Sequence, residues 1–160
     1  MASTPVNQPV HRSAALLDYL ARRMRLQGDS VLAQLGLRPR HMVALTVLRD
    51  RGGSTQQALS STLMMDGTNV VGLLNDLEAD QLIERRRSPQ DRRRHVVELT
   101  ANGFELLDKA ERALTAAENE VLAALDETQR ETLYSLLQQA ANGEASGSCT
   151  EAWAAGNASR

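Results

Sequence analysis

The sequence predicts a mainly α fold with one small β-hairpin: a winged helix-turn-helix lobe joined to a helical region built from both ends of the chain. Apolar residues recur at three- and four-residue spacing in six separate stretches, the period of amphipathic helices. Two strand-like runs flank the turn chemistry of Ser88-Pro89-Gln90-Asp91, late in the middle of the chain. Aromatic residues make up only 2% of the 160 residues, so the core must be assembled from Leu, Val, Ala and Met, which suits packed helices.

The elements follow in order. Residues 1–9 are polar and contain two prolines, and read as a flexible arm. A helix is expected from Val10 to residue 36, carried by Leu16, Leu17, Leu20, Met24, Val31, Leu32 and Leu35, with Gly28 marking a bend and Gly36 the end. Pro39 opens the second helix, where its missing N–H costs nothing. Met42, Val43, Leu45 and Leu48 give that helix its apolar face, and Gly52-Gly53 stops it. Ser54 with Gln57 fits a capping box for a short third helix over 55–64 that buries Ala58, Leu59 and Leu63. Asp66 caps a fourth helix over 67–80, with Val70, Val71, Leu74 and Leu77 inward and Thr68, Asn69, Gly72, Asn75 and Asp76 outward. Strands are expected over 82–87 and 94–99. Thr100 caps a long helix in which Phe104, Leu107, Ala110, Leu114, Ala117 and Val121 form a narrow seam resembling that of a coiled coil. Asp126 with Gln129, or Thr128 with Glu131, starts a last helix bearing Leu133, Leu136, Leu137 and Ala140. Gly, Ser, Ala and Asn dominate 142–160, which reads as a disordered tail. The expected division is therefore a winged lobe over 37–100 and a helical dimerisation region over 10–36 and 101–141.

Charge is distributed unevenly. The net charge is −2, yet residues 1–94 carry 14 basic and 9 acidic side chains, whereas 95–160 carry 4 and 11. Between 85 and 94 stand Arg85, Arg86, Arg87, Arg92, Arg93 and Arg94 against the single acid Asp91. An arginine run by itself is more often a solvated loop. Here it directly follows a helix whose outer face is polar, at the distance at which a wing flanks a recognition helix. Thr68, Asn69, Gly72 and Asn75 on that face suit base-edge and phosphate contacts, and the six arginines suit phosphates or a narrow minor groove. Double-stranded DNA is thus the expected partner. An amphipathic helix in ordinary solvent contact is the plainer reading of the outer face taken alone.

Other classes fit poorly. No motif sets a nucleophile beside a base, and no Gly-rich phosphate loop exists, so no enzyme is expected. Cys149 is the only cysteine, and His11, His41 and His95 lie far apart, so no metal and no cofactor is expected. No aromatic platform for unpaired bases argues for RNA. No apolar run is long enough to span a membrane, and residues 1–12 lack a signal-peptide stretch, so a cytoplasmic location is expected. The alternative function is a dimeric helical protein-interaction module that binds no DNA.

The run Asp91-Arg92-Arg93-Arg94-His95-Val96-Val97-Glu98-Leu99-Thr100, with Gly103 after it, resembles the wing and following helix of the multiple antibiotic resistance regulators, the MarR family. Leu77-Glu78, Leu82-Ile83-Glu84-Arg85 and Leu37-Arg38-Pro39 fit the same pattern, and the resemblance spans residues 10–141. One departure is Gln81, where the family has glycine; either it turns left-handed or the turn differs. The resemblance implies a homodimer with interleaved first and last helices, gripping successive major grooves of palindromic DNA, commonly as a repressor. It implies that Arg93 is the wing-tip arginine and that Asp91 orients it, though a plain turn role for Asp91 remains open. It also implies a small anionic or phenolic effector. Candidates for that site are Arg12, Arg22, His41 and Arg49, with Met24, Met42 and Leu45 as apolar walls. The plainer reading pairs these arginines with Asp18 or Asp50. The first helix holds no cysteine, so thiol-based oxidant sensing is not expected.

Overall fold

The computed structural model describes residues 12–88, 90–91 and 94–142. The order is α1 (Ser13–Gln34), α2 (Pro39–Arg51), α3 (Gln56–Leu63), α4 (Gly67–Ala79), β1 (Ile83–Arg87), β2 (His95–Leu99), α5 (Ala101–Val121) and α6 (Glu127–Ala141). The expected arm over 1–9 and the tail beyond Asn142 lie outside the described residues. The helix start expected at Val10 is corrected to Ser13, because Arg12 is the extended N-cap residue.

The core lies where α2, α3, α4, the hairpin and the start of α5 meet. Leu45, Leu48, Leu59, Val70, Leu74, Leu77, Ile83 and Leu107 are fully buried there, joined by Leu32 from the end of α1. Helix α2 runs through the middle and is buried nearly all round, including Ala44 and Val47 as well as the four apolar residues expected. Helix α1 packs along α5, and Gln27 Nε2 donates to Glu120 across that seam at 3.0 Å. Arg49 ties α2 to α5 through Glu111 at 2.6 Å.

Two glycines stand at close approaches. A Cβ on Gly28 would stand 3.3 Å from Leu114 Cδ2, so the residue lets α1 lie close on α5. That replaces the expected bend: α1 continues through Gly28 as helix. A Cβ on Gly103 would stand 2.0 Å from the carbonyl oxygen of Leu82, so only glycine fits where α5 leaves the hairpin. Thr100 caps α5 by accepting the Gly103 N–H, and its own hydroxyl donates to the Gln81 carbonyl. Gln81 takes the left-handed conformation at φ 59°, the first of the two alternatives its sequence position allowed.

Two local expectations are corrected. Ser54 does not cap α3. Its backbone is extended and bridges Val97 in both directions, adding a short third rung to the hairpin, and Thr55 caps instead by accepting the Ala58 N–H. Val71 does not face inward; it is 38% exposed, and Leu73 takes the inward place. Val70, Leu73, Leu74 and Leu77 form the i, i+3, i+4, i+7 stripe of an α-helix, and Val71 lies one step off it.

The antiparallel hairpin pairs Ile83 with Leu99, Arg85 with Val97 and Arg87 with His95. Ser88, buried at the turn, accepts the N–H groups of Gln90 and Asp91 on its hydroxyl, and its own N–H donates to the Arg94 carbonyl. Among the described residues no helix is long and apolar enough to cross a membrane.

Candidate nucleic-acid interface

Helices α3 and α4 form the helix-turn-helix. Met64, left-handed at φ 50°, turns the chain between them, and Ser60 Oγ fastens the turn by donating to the Met65 carbonyl. Asp66 accepts the Asn69 N–H at 3.0 Å, so α4 starts at Gly67. That hydrogen bond, together with one from the Asn69 side chain, holds the Asp66 carboxyl below its ordinary range. The inward stripe of α4 then fixes which face is free. Thr68, Asn69, Gly72 and Asn75 are all exposed, so the four residues expected to meet DNA share the open face.

The hairpin arginines do not form a uniform cationic surface. Arg85 is turned back onto α4, where it pairs with Glu78 and donates from Nη2 to Asn75 Oδ1 at 2.9 Å. Arg86 pairs with Glu84 at 2.5 Å and faces Glu98 from across the hairpin. Arg94 is exposed and lies 3.6 Å from Asp91. Arg87 is exposed and has no ion-pair partner among the described residues. Arg92 and Arg93 lie outside the described residues. Glu78, Glu84 and Glu98 therefore compensate the root of the hairpin, and the open charge shifts toward its tip. The arginine count over 85–94 alone does not reveal this, since all three acids fall outside that run.

A cleft of about 480 Å³ opens between the end of α1, the start of α2 and the outer face of α4; Asp29, Arg38, His41, Asn69, Gly72 and Asp76 are among its walls. Of the four expected ligand residues only His41 lines it. Arg12 is exposed at the head of α1. Arg22 pairs with Asp18 at 3.1 Å, and Arg49 pairs with Asp50 and Glu111, the surface pairing that the sequence also allowed. Met42 and Leu45 are core residues, and the cleft's apolar walls are Pro39, Met65 and Leu73 instead. The sequence reading missed Arg38 and Asp76, whose pairing joins two elements distant in the chain.

His41 is buried, and Arg38 approaches both of its ring nitrogens. Nδ1 accepts the Arg38 N–H at 3.3 Å, and Nε2 lies 3.1 Å from Arg38 Nη2. Burial, then the Arg38 charge, lowers its pKa from the ordinary 6.5, against the opposing pull of Asp76 and Asp80. Burial and the Arg38 charge thus favour the neutral ring over the charged one. His95 is exposed on the hairpin. Among the described residues no group of three or more His, Cys, Asp or Glu could hold a metal ion.

A short helix, a tight turn, a second helix with a free polar face and an adjoining basic hairpin define a winged helix-turn-helix protein. Residues 35–94 match the profile of the MarR family, whose members are transcriptional regulators and not enzymes. The chain is 33% identical over 104 residues to a regulatory protein assigned to the hcr operon of Thauera aromatica, a match covering 65% of this chain and 63% of that protein. It is 29% identical over 111 residues to the HTH-type transcriptional repressor NicR of Pseudomonas putida, covering 67% and 70%. The fold superposes on apo MarR of E. coli with a TM-score of 0.71 at 19% identity, over 83% of this chain and 98% of that one. It superposes on a mutant of S. aureus MepR bound to an oligodeoxyribonucleotide with a TM-score of 0.64 at 26% identity, over 81% and 95%.

Proposed function

We propose that the chain is a sequence-specific transcriptional regulator that binds palindromic double-stranded DNA as a homodimer and represses until a small organic ligand displaces it. The observation that carries this reading is the joint placement of α4 and the hairpin. Arg85 fixes the two as one surface, with the polar face of α4 beside the exposed Arg87 and Arg94. MepR, a structural relative, is bound to DNA in its own solved structure, which supports the same partner here.

A second copy is called for by the helical ends. Leu16 and Leu26 on α1 are each 67% exposed, and α6 buries none of its residues although it carries Tyr134, Leu136 and Leu137. A groove of about 580 Å³ between α1 and α5, floored by Leu26, Val31, Ala113 and Ala116, continues this face. A monomer gains nothing from so much apolar exposure, and a two-fold partner would cover it. Two-fold symmetry in turn requires half-sites with centres about 10 bp apart.

The cleft at His41 is the proposed effector site. Asn69 and Gly72 belong both to its wall and to the DNA-facing surface, so ligand and DNA exclude one another. Tenfold relief needs only about 1.4 kcal/mol of preference for the free form. An anionic or phenolic compound suits Arg38 and Arg40 at the cleft rim.

The test is a gel shift of genomic fragments at increasing salt. A palindromic fragment should be retarded, with affinity falling steeply with salt. Inserting 5 bp between the half-sites should abolish tight binding; retention of it contradicts the geometry. Calorimetry of an effector with and without operator DNA should give affinities that differ by the same factor by which the effector weakens DNA, and equal affinities exclude it as an inducer.

A further inference from the structure

The two asparagines of α4 are each half-committed inside the chain, and in opposite senses. The side-chain amide of Asn69 donates to the second oxygen of Asp66, whose first oxygen caps the helix. A carboxylate only accepts, so the NH₂ of Asn69 must face it, and the carbonyl Oδ1 is left free. Asn75 is held the other way. Arg85 Nη2 donates to its Oδ1 at 2.9 Å while the rest of the guanidinium pairs with Glu78. A guanidinium only donates, so Asn75 must turn its oxygen inward and leave its NH₂ free. The orientation of both amides follows from the charge of the neighbour.

Both residues are placed to read. Asn75 lies two turns from Thr68, at the centre of the exposed face opposite the stripe Val70, Leu73, Leu74 and Leu77. Asn69 lies in the first turn of α4, and the first turn of a recognition helix is the part that enters the groove deepest.

We propose that Asp66 and Arg85 are positioning residues that set the hydrogen-bonding polarity of the recognition helix, so that Asn69 offers DNA an acceptor and Asn75 a donor. This rests on the DNA-binding reading above and deepens it. Unconstrained asparagine recognises adenine by a bidentate contact that uses both its oxygen and its nitrogen on N6 and N7. In each asparagine one of those two atoms is already engaged within the chain, which turns the other toward the groove. Asn69 then favours bases with an exocyclic amine in the major groove, adenine or cytosine. Asn75 favours bases rich in acceptors, guanine first, and disfavours cytosine. Arg85, counted by sequence among the DNA-contacting arginines, acts on DNA through Asn75 instead.

The experiment is selection of bound sequences from a randomised palindromic library by the intact protein and two variants. Asp66→Ser keeps one oxygen to cap α4 and removes the one that holds the Asn69 amide. Arg85→Ala combined with Glu78→Ala removes the second clamp without stranding a carboxylate. Melting temperature monitors the fold of each. The expected result is that each variant sharpens preference toward adenine at its own base position by about tenfold, the scale of one bidentate contact, and leaves the other position unchanged. A merely structural role would lower affinity uniformly across sequences. Variants that bind the library with base preferences identical to wild type overturn the inference and leave DNA binding standing. A wild-type protein that enriches no sequence at all removes the DNA-binding reading and this inference with it.

Discussion

Helices α4 and α6 begin alike and end differently. Each is capped by an aspartate, Asp66 accepting the Asn69 N–H at 3.0 Å and Asp126 accepting the Gln129 N–H at 2.9 Å. Each carries leucines at helical spacing. Yet α4 buries Val70, Leu73, Leu74 and Leu77 within its own chain, whereas α6 buries nothing. Local chemistry starts a helix; what lies across from its apolar stripe decides whether that helix is finished. The winged lobe buries the apolar stripe of α4 within one chain, and α6 leaves its own exposed.

The largest expected effects test that division directly. Leu74→Ala removes a fully buried side chain and should cost about 2–5 kcal/mol of stability, read by urea denaturation at every protein concentration alike. Leu136→Asp with Leu137→Asp should instead reduce the mass seen by light scattering from dimer to monomer while leaving the lobe folded. Wild-type melting temperature should rise with protein concentration, as it does when folding is linked to association. A wild-type monomer at micromolar concentration would mean that the ends of the chain are covered by something other than a second copy.

The next effect contrasts the hairpin with the helical ends. Arg93→Ala should weaken operator binding by about 1–3 kcal/mol, whereas Arg130→Ala on α6 should change it little. Titration at fixed salt measures both. Equal losses would show that the hairpin holds no privileged place.

What the sequence made legible follows the same line. Caps and breaks are local, and Asp66, Thr100, the Asp126–Gln129 box and Gly52 could be read from a few neighbours. The fold class followed from them, because six helices and one hairpin in that order leave few arrangements. Contacts between distant segments carry no such local sign. Ser54 looks like a cap until Val97, 43 residues away in sequence, claims its backbone. Arg85 looks like a DNA contact until the fold sets Glu78 and Asn75 against it. Arg38 and Asp76 define the cleft by a pairing that no spacing rule suggests. Val71 is apolar, which suggests an inward place, but the period of the helix excludes it. Its exposure beside Asn75 gives α4 an apolar surface suited to a thymine methyl.

His41 offers a sharper probe of how the lobe closes. Its folded pKa is lowered, so as pH falls through about 6.5 the unfolded chain takes up a proton that the folded chain refuses. The unfolded state binds more protons in that window, and stability therefore falls as pH falls, until the folded ring also titrates and the loss is complete. The urea midpoint should be lower at pH 5.5 than at pH 7.5. His41→Gln, whose amide oxygen can still accept the Arg38 N–H, should flatten the dependence. An unchanged slope in the variant would assign it to other groups.

The smallest expected effect separates folding from function at a single position. Gly72 sits in the middle of α4, where glycine is a poor choice, destabilising a helix by roughly 0.5–1 kcal/mol relative to alanine. No atom lies within 4 Å of where its Cβ would stand, so packing does not demand it, unlike Gly103. What the absent side chain provides is a flat stretch on the exposed face, between Thr68 and Asn75, where the helix backbone can come close to a groove floor. Gly72→Ala should therefore raise the melting temperature by a few degrees, the shift that about 1 kcal/mol produces in a domain of this size. The same substitution should weaken operator binding. Opposite signs in the two measurements place the demand for glycine in the DNA complex and not in the fold. If alanine stabilised the protein and left operator affinity intact, the surface between Thr68 and Asn75 would not approach DNA closely. The reading contact would then have to move toward the hairpin tip.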